Sequence, residues 1–345
     1  MQPDSPYQKP AVTLAHLGEM DVGQDMLDAL LDDHQDWART YLAGDMSLPG
    51  GVGMVGVGIA EHRIDGQPTG RPALHVLIDR SKKTRGSLPT LTANGLPIVY
   101  EVVGEIRPAA SPRQRFRPAF GGVSIAPVAR NYSGTLGCVV QANGVRYILS
   151  CNHVLADCNT LPRGAAISQP SVYDGGQPSD VIANLSYFVP LVFGGLSPAN
   201  AAIAAVAPGV TVDPRILRGS GAMEALVAPV LQPMTGLTVR KSGRTTGDTQ
   251  GSVRSIGLTV KINFAQAGVA TVSNLFSVEG TSAAPVFAAP GDSGALVATA
   301  SANQPVGMVV ATGTSGTPAT YASSMVAILN ALTTQVGAPV MVVYA

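Results

Sequence analysis

Residues 288–299 read Ala-Ala-Pro-Gly-Asp-Ser-Gly-Ala-Leu-Val-Ala-Thr. The centre of this stretch is Pro290-Gly291-Asp292-Ser293-Gly294, and an apolar run with strand character, Ala295–Thr299, follows at once. A serine hydroxyl is a weak nucleophile until a base takes its proton. It also needs backbone N–H groups aimed at the oxyanion that develops on an attacked carbonyl. Glycine at 291 lets the chain turn so that its own N–H and that of Ser293 enter one hole without a Cβ in the way. The strand that follows would anchor the turn on a rigid element. Taken alone, the stretch also reads as an ordinary tight turn.

Working outward, the next informative stretch is Leu149-Ser150-Cys151-Asn152-His153-Val154-Leu155. A histidine at the end of an apolar strand can serve as general base. A lone histidine is more often structural, but this one precedes Ser293 by many short strands. Those strands are apolar runs broken by Gly, Pro, Asn and Ser: Gly137–Gln141, Tyr147–Ser150, Asn200–Val206, Leu237–Lys241, Gly251–Val260, Ala295–Thr299 and Val306–Thr312. Such spacing predicts a barrel or sandwich. One helix is expected at Ser323–Leu332, followed by a strand at Val340–Tyr344.

The composition agrees. Charged residues make up 13% of the 345 residues, well under the roughly 25% of an average globular protein. Lys+Arg and Asp+Glu are 22 each, so there is no net field to attract a phosphate backbone or an anionic membrane surface. Apolar residues reach 46%, too many for a disordered chain, and Gly 39 and Pro 26 supply turn signals. Three cysteines make no disulfide framework, and reduced thiols are expected. The start MQPDSPYQKPAVTLAHLG lacks a charged region followed by an apolar one, so no export signal is expected and a cytoplasmic location follows. The most apolar stretches, such as Phe188–Val210, are cut by Gly and Pro.

Upstream, residues 1–20 have no clear pattern. Asp21 to Leu42 reads as an amphipathic helix, with Leu27, Leu30, Leu31, Trp37 and Tyr41 at helical spacing. Asp21 is the expected cap, and Asp32, Asp33 and Asp36 form an expected solvated face. Val52–His62 and Ala73–Asp79 read as strands joined by a loop containing Gly66–Gly70, and Pro97–Val103 as another strand. Residues 1–106 are therefore expected to form a small α/β domain with its helix at 21–43. Arg107–Pro118, rich in Pro and Arg, reads as a linker, and 119–345 as the β domain. Gly51–Gly56 matches G-x-G-x-x-G, but no strand precedes it and no helix follows, so it reads as a strand start. The five histidines show no metal-ligand spacing. No metal and no cofactor are expected.

His in L-S-C-N-H-V-L, an apolar strand with N-A-A-I-A (200–204), and G-D-S-G-A-L-V, in that order, resemble the trypsin-like (chymotrypsin-fold) serine proteases. Val239–Gly247 resembles the K-x-G-R-T-T-G turn of bacterial and plant-type members. Gly134–Cys138 together with the histidine motif looks most like the plant NARROW LEAF-type proteins. The likeness covers about residues 119–335. It implies a two-barrel, mainly β protease domain that hydrolyses peptide bonds through an acyl-enzyme. His153 would be the general base, Ser293 the nucleophile, and the N–H groups of Gly291 and Ser293 the oxyanion hole. The residues before the nucleophile and on the later cleft strand would bind substrate: Phe287, Ala311 and Gly313. With no acid among them, a small or medium apolar residue is expected before the scissile bond. Gly313-Thr314-Ser315-Gly316, although shaped G-x-S-G, reads as a cleft loop. The resemblance also implies no new N-terminus pairing with Asp292, which would be held locally.

One position departs from the family. Where it has Asp in a motif like D-A-A-I-A, this chain has Asn200. The same exchange in trypsin lowers kcat by about 10⁴, whereas Cys-His-Asn sites work with Asn. Three readings stand: a slow protease with Asn200 as orienter, an inactive relative that holds peptides as a binding or scaffold protein, or another carboxylate such as Asp180 or Asp213 reaching His153. The expected partner is a protein or peptide substrate, with neither nucleic acid nor membrane. Self-association through the N-terminal domain is a further expectation.

Overall fold

The computed structural model describes residues 10–345, apart from 19, 21, 45, 66, 80–86, 104–105, 107–110, 220 and 314–318. The chain forms two compact units, Met1–Arg107 and Pro108–Ala345.

In the first unit the helix runs Gln24–Trp37 and continues into one wider turn, Ala38–Leu42. Gly23 occupies the N-cap position, and the expected cap Asp21 lies outside the described residues. Leu27 and Leu30 are buried as the spacing predicts. Asp33 is buried too, contrary to its expected solvated position, and accepts a hydrogen bond from Asn94 Nδ2 at 3.1 Å. Strand Gly53–Ile64 pairs antiparallel with Gln67–Asp79, which pairs parallel with Ile98–Val102. The loop expected over Gly66–Gly70 is cut short, because Ile64 already pairs with Gln67. Asp65 has φ +51°, and residues 67–70 already belong to the strand. Asp-Gly between two β runs is a hairpin signal, so the turn chemistry outweighs the loop-like Gln67-Pro68-Thr69-Gly70. Leu48, Val52, Met54, Leu74, Val76, Ile78 and Ile98 form the core, with Trp37 and Tyr41 packed on it.

The second unit is two β-barrels. In the first, Cys138–Ala142, Val145–Ser150, Ala202–Val206, Val181–Phe188, Ala166–Ser168 and Ser124–Pro127 lie side by side in that order. The continuous segment Gly134–Ala142 closes it. Its start pairs with Ser124–Pro127 and its end with Val145–Ser150, across a kink at Leu136-Gly137. In the second barrel the order is Val269–Gly280, Gly247–Asn263, Thr238–Gly243, Leu296–Thr299, Pro305–Thr312 and Thr320–Ser324, and the last strand pairs back onto the first. This is the chymotrypsin-type double barrel that the motifs imply. The helix Met325–Val336 and the short strand Met341–Val342 follow.

Low charge and abundant Ala and Val suit interiors this thin, because side chains of both faces must interdigitate. Residues 111–118, expected as linker, belong to the second unit. Arg115 Nε donates to Asp180 Oδ1 at 2.6 Å, and Arg117 Nη1 to the Gln169 carbonyl at 3.0 Å. Those arginines have acceptors waiting, which the composition of the stretch does not reveal.

Candidate active site

His153 sits on a single helical turn, Asn152–Leu155, directly after strand Val145–Ser150. That strand pairs antiparallel with Ala202–Val206, Ser150 opposite Ala202. The register therefore brings Asn200, two residues before Ala202, alongside His153. Asn200 is fully buried. Its Nδ2 lies 2.9 Å from His153 Nδ1, and its Oδ1 accepts the His153 backbone N–H at 3.3 Å. The second contact fixes the first. A backbone N–H can only donate, so the amide oxygen must face it and the NH₂ must face the ring. Nδ1 then accepts, and the ring proton sits on Nε2. A carboxylate would accept at both places. Burial lowers the His153 pKa to about 4, with the Asn200 hydrogen bond acting against it. The imidazole is neutral at neutral pH.

The two candidate substitutes for the missing acid are occupied elsewhere. Asp180 is held by Arg115 and by the Gln177 N–H, and Asp213 forks with Arg215. The reading in which either orients His153 does not hold. Asp157 faces the cleft but is bound by Arg130 Nε at 2.6 Å.

Asn152 and Asn159 brace the histidine turn. Asn152 Nδ2 donates to Asn159 Oδ1 and to the Val189 carbonyl, each at 2.8 Å. Asn159 Nδ2 donates to the Leu191 carbonyl, also at 2.8 Å. Val189 N–H in turn donates to the Ala201 carbonyl at 2.9 Å, beside Asn200. The braces thus hold both members of the His153–Asn200 pair.

Ser293 is delivered by the second barrel, on the turn before strand Leu296–Thr299. Its Oγ donates to the Val310 carbonyl at 3.3 Å, not to His153. Side chain Asp292 points inward and is fully buried. Its carboxylate accepts Thr245 N–H at 2.7 Å, Thr246 N–H at 3.2 Å, Thr246 Oγ1 at 2.6 Å and Ala289 N–H at 3.0 Å. Lys241 Nζ, also fully buried, lies 3.5 Å away. Local groups therefore do hold Asp292. Gly291 has φ +98°, and a Cβ there would collide with Thr245 Oγ1. Among the described residues neither Gly291 N–H nor Ser293 N–H has a protein acceptor, whereas Asp292 N–H bonds to the Ala289 carbonyl.

His153, Gly291 and Ser293 line one cavity of about 430 Å³, together with Tyr132, Ile262, Phe264 and Ala311. Ala311 was expected there. Phe287 was also expected, but it is only 2% exposed, packs in the second barrel's core with Val253 and Val278, and does not line the cavity. Sitting before the nucleophile in sequence does not put it at the cleft, because the chain reverses between 287 and 291. Gly313 is exposed at the strand end, outside the lining, and residues 314–316 lie outside the described residues. Phe264, which sequence reasoning passed over, stands at the tip of the hairpin Gly247–Asn263/Val269–Gly280, its ring 5.5 Å from that of His153. Tyr132, also passed over, donates its OH to the Val154 carbonyl at 2.9 Å. No signal short of the fold brings these two to the histidine. Among the described residues no group of His, Cys, Asp and Glu could hold a metal ion, and no helix is long and apolar enough to cross a membrane. The three cysteines are free.

No family model and no curated protein sequence matches this chain. Solved structures do. Protease A of Thermobifida fusca is 21% identical over 65% of this chain and 98% of its own, with a TM-score of 0.46. A chymotrypsin of Cellulomonas bogoriensis is 19% identical over 66% of this chain and 100% of its own, TM-score 0.45. A Nocardiopsis protease is 18% identical over 64% and 98%, TM-score 0.44.

Proposed function

We propose that this chain is a serine endopeptidase whose base is throttled by Asn200. The observation that carries the reading is the convergence of Ser293, two unbonded N–H groups and His153 on one cavity. In the proposed cycle Ser293 Oγ attacks the scissile carbonyl and its proton passes to His153 Nε2. The N–H groups of Gly291 and Ser293 take the oxyanion. His153 then returns that proton to the leaving amine, and the acyl-enzyme is hydrolysed by the same steps with water as nucleophile.

The first transfer needs a lone pair on Nε2, hence a proton on Nδ1. With the Asn200 NH₂ against Nδ1, that tautomer requires the amide to turn over, which sets NH₂ against the His153 backbone N–H. The reactive form is a minor population, and the predicted enzyme is slow. The cavity wall of Ile262, Phe264, Val310 and Ala311 favours apolar substrate side chains over charged ones.

A second reading is a peptide-binding protein without turnover. The Nδ2–Nδ1 contact favours it. A fluorophosphonate probe separates the two. Labelling that is lost in Ser293→Ala and His153→Ala supports the enzyme. A folded chain that never labels, yet binds peptides, is the scaffold.

A further inference from the structure

The turn Ser242-Gly243-Arg244-Thr245-Thr246 has a task beyond holding Asp292. The Pro290–Gly291 peptide carries the first oxyanion donor. In a trans peptide C=O and N–H point opposite ways, so whatever fixes the Pro290 carbonyl fixes the Gly291 N–H. Little in the local sequence fixes this plane. Pro290 leaves its own ψ free, and glycine accepts φ of either sign, so the peptide can turn over at small cost. Turned over, the plane would put a carbonyl oxygen where the oxyanion must sit.

Two contacts oppose this. Thr245 Oγ1 donates to the Pro290 carbonyl at 2.8 Å. The same hydroxyl accepts from Arg244 Nη1 at 3.2 Å. Arg244 Nη1 can only donate and the Pro290 carbonyl can only accept, so the one hydroxyl hydrogen goes to Pro290 while Arg244 fills a lone pair.

Arg244 is itself fixed. Its Nε donates to Asp174 Oδ2 at 2.8 Å, and Nη2 to Oδ1. Asp174 also accepts from Ser124 at 2.6 Å, Ser133 at 2.9 Å and Ser171 at 3.1 Å, all from the first barrel. Burial alone would raise the Asp174 carboxyl, but hydrogen bonds from Arg244 and the serines hold it down at about 2.

We propose that Asp174, Arg244 and Thr245 form a relay of positioning residues that keeps the Gly291 N–H in the oxyanion hole. The relay rests on the serine-peptidase reading for its use, but its geometry is testable without it. Thr245→Val removes the hydroxyl at nearly constant shape and keeps the backbone N–H on Asp292; Thr245→Ser keeps the hydroxyl.

In wild type and in Asn200→Asp, Thr245→Val is expected to slow fluorophosphonate labelling of Ser293 by about 10²–10³, the loss of one oxyanion donor. Thr245→Ser should stay within a few-fold. Affinity for a non-covalent peptide, measured in Ser293→Ala, should not change. Equal labelling of the Val and Ser variants overturns the relay. A crystal structure of Thr245→Val reads the peptide directly: a Pro290 carbonyl turned into the cavity supports the relay, and an unmoved carbonyl overturns it. If neither wild type nor Asn200→Asp labels at all, the peptidase reading fails, and the carbonyl position alone decides the relay.

Discussion

The two barrels bring unequal halves to the cleft. On the second-barrel side the turn that carries Ser293 is fixed by its own contacts. Asp292 is saturated, Lys241 neutralises it, and the two donors of the turn are left open to the cavity. On the first-barrel side the scaffold is as carefully braced, by Asn152 and Asn159, yet Asn200 Nδ2 faces His153 Nδ1, and on the proposed reading that tautomer is the one that cannot accept a proton from Ser293. Bracing and competence are thus separable. An amide at position 200 meets Nδ1 with a donor where a carboxylate would offer an acceptor.

The largest test of this contrast is Asn200→Asp. A carboxylate accepts both from the His153 backbone N–H and from Nδ1–H, so Nε2 is freed as base. Labelling of Ser293 should rise by at least about 10², toward the 10⁴ lost in trypsin by the reverse exchange. The pH profile should change with it. In wild type the ring is neutral well above its pKa of about 4, so the rate is flat through neutral pH. Beside a carboxylate the imidazolium is favoured and the pKa rises. The variant should then lose activity as pH falls through that higher value. An Asn200→Asp protein no faster than wild type would show that the tautomer is not what limits the site.

Next comes the completeness of the other half. Lys241 and Asp292 are both fully buried, so removing one partner strands a charge. Lys241→Met should cost about 3–5 kcal/mol in chemical denaturation, and much of that should return in the double variant with Asp292→Asn. A single variant as stable as wild type would mean that the threonines alone hold the turn.

How much of this was legible follows the same division. His153, Asn200 and Ser293 each stand in a short motif whose residue types carry a chemical requirement; strand pairing sets Asn200 beside His153, and the turn before Leu296–Thr299 brings Ser293 to the same cavity as His153. Residues that act through long-range contact left no such mark. Phe264 lies far from both motifs in sequence, and although Thr135 stands in the quoted stretch Gly134–Cys138, nothing there marks that its hydroxyl donates to the Gly291 carbonyl at 2.9 Å. The K-S-G-R-T-T-G turn was visible as a likeness, but the acceptors of Arg244 and Thr245 were not. Strands Val181–Phe188 and Val269–Gly280 are not marked by a continuous apolar run, because Asn184, Ser186, Ser273 and Asn274 interrupt it. Phe287 was misplaced since an aromatic before a nucleophile looks the same whether it faces the cleft or the core.

A smaller effect is expected at the brace. Asn159→Ala removes a donor to the Leu191 carbonyl and leaves Asn152 and Leu191 N–H short of their acceptor. Unsatisfied buried groups cost about 1–3 kcal/mol. If the brace positions His153, labelling in the Asn200→Asp background should also fall, whereas Ser293-side variants leave the brace untouched. Stability lost without any change in labelling would reduce Asn159 to a purely structural role.

The smallest effect tests why the base is so acidic. Burial is the main cause of the lowered His153 pKa, and the Phe264 ring supplies part of that cover. Phe264→Ala lets water reach the imidazole, so the pKa should move up from about 4 toward its ordinary 6.5, read by NMR titration of the ring. The sign carries into stability. A histidine held below its unfolded value favours the native state above 6.5, and that contribution is lost as pH falls from 6.5 toward 4. Shrinking the shift shrinks this window, so the variant should lose less stability than wild type between neutral and mildly acid pH. A titration that does not move would place the desolvation in the first-barrel wall alone, and would remove the hairpin of the second barrel from any part in tuning the base.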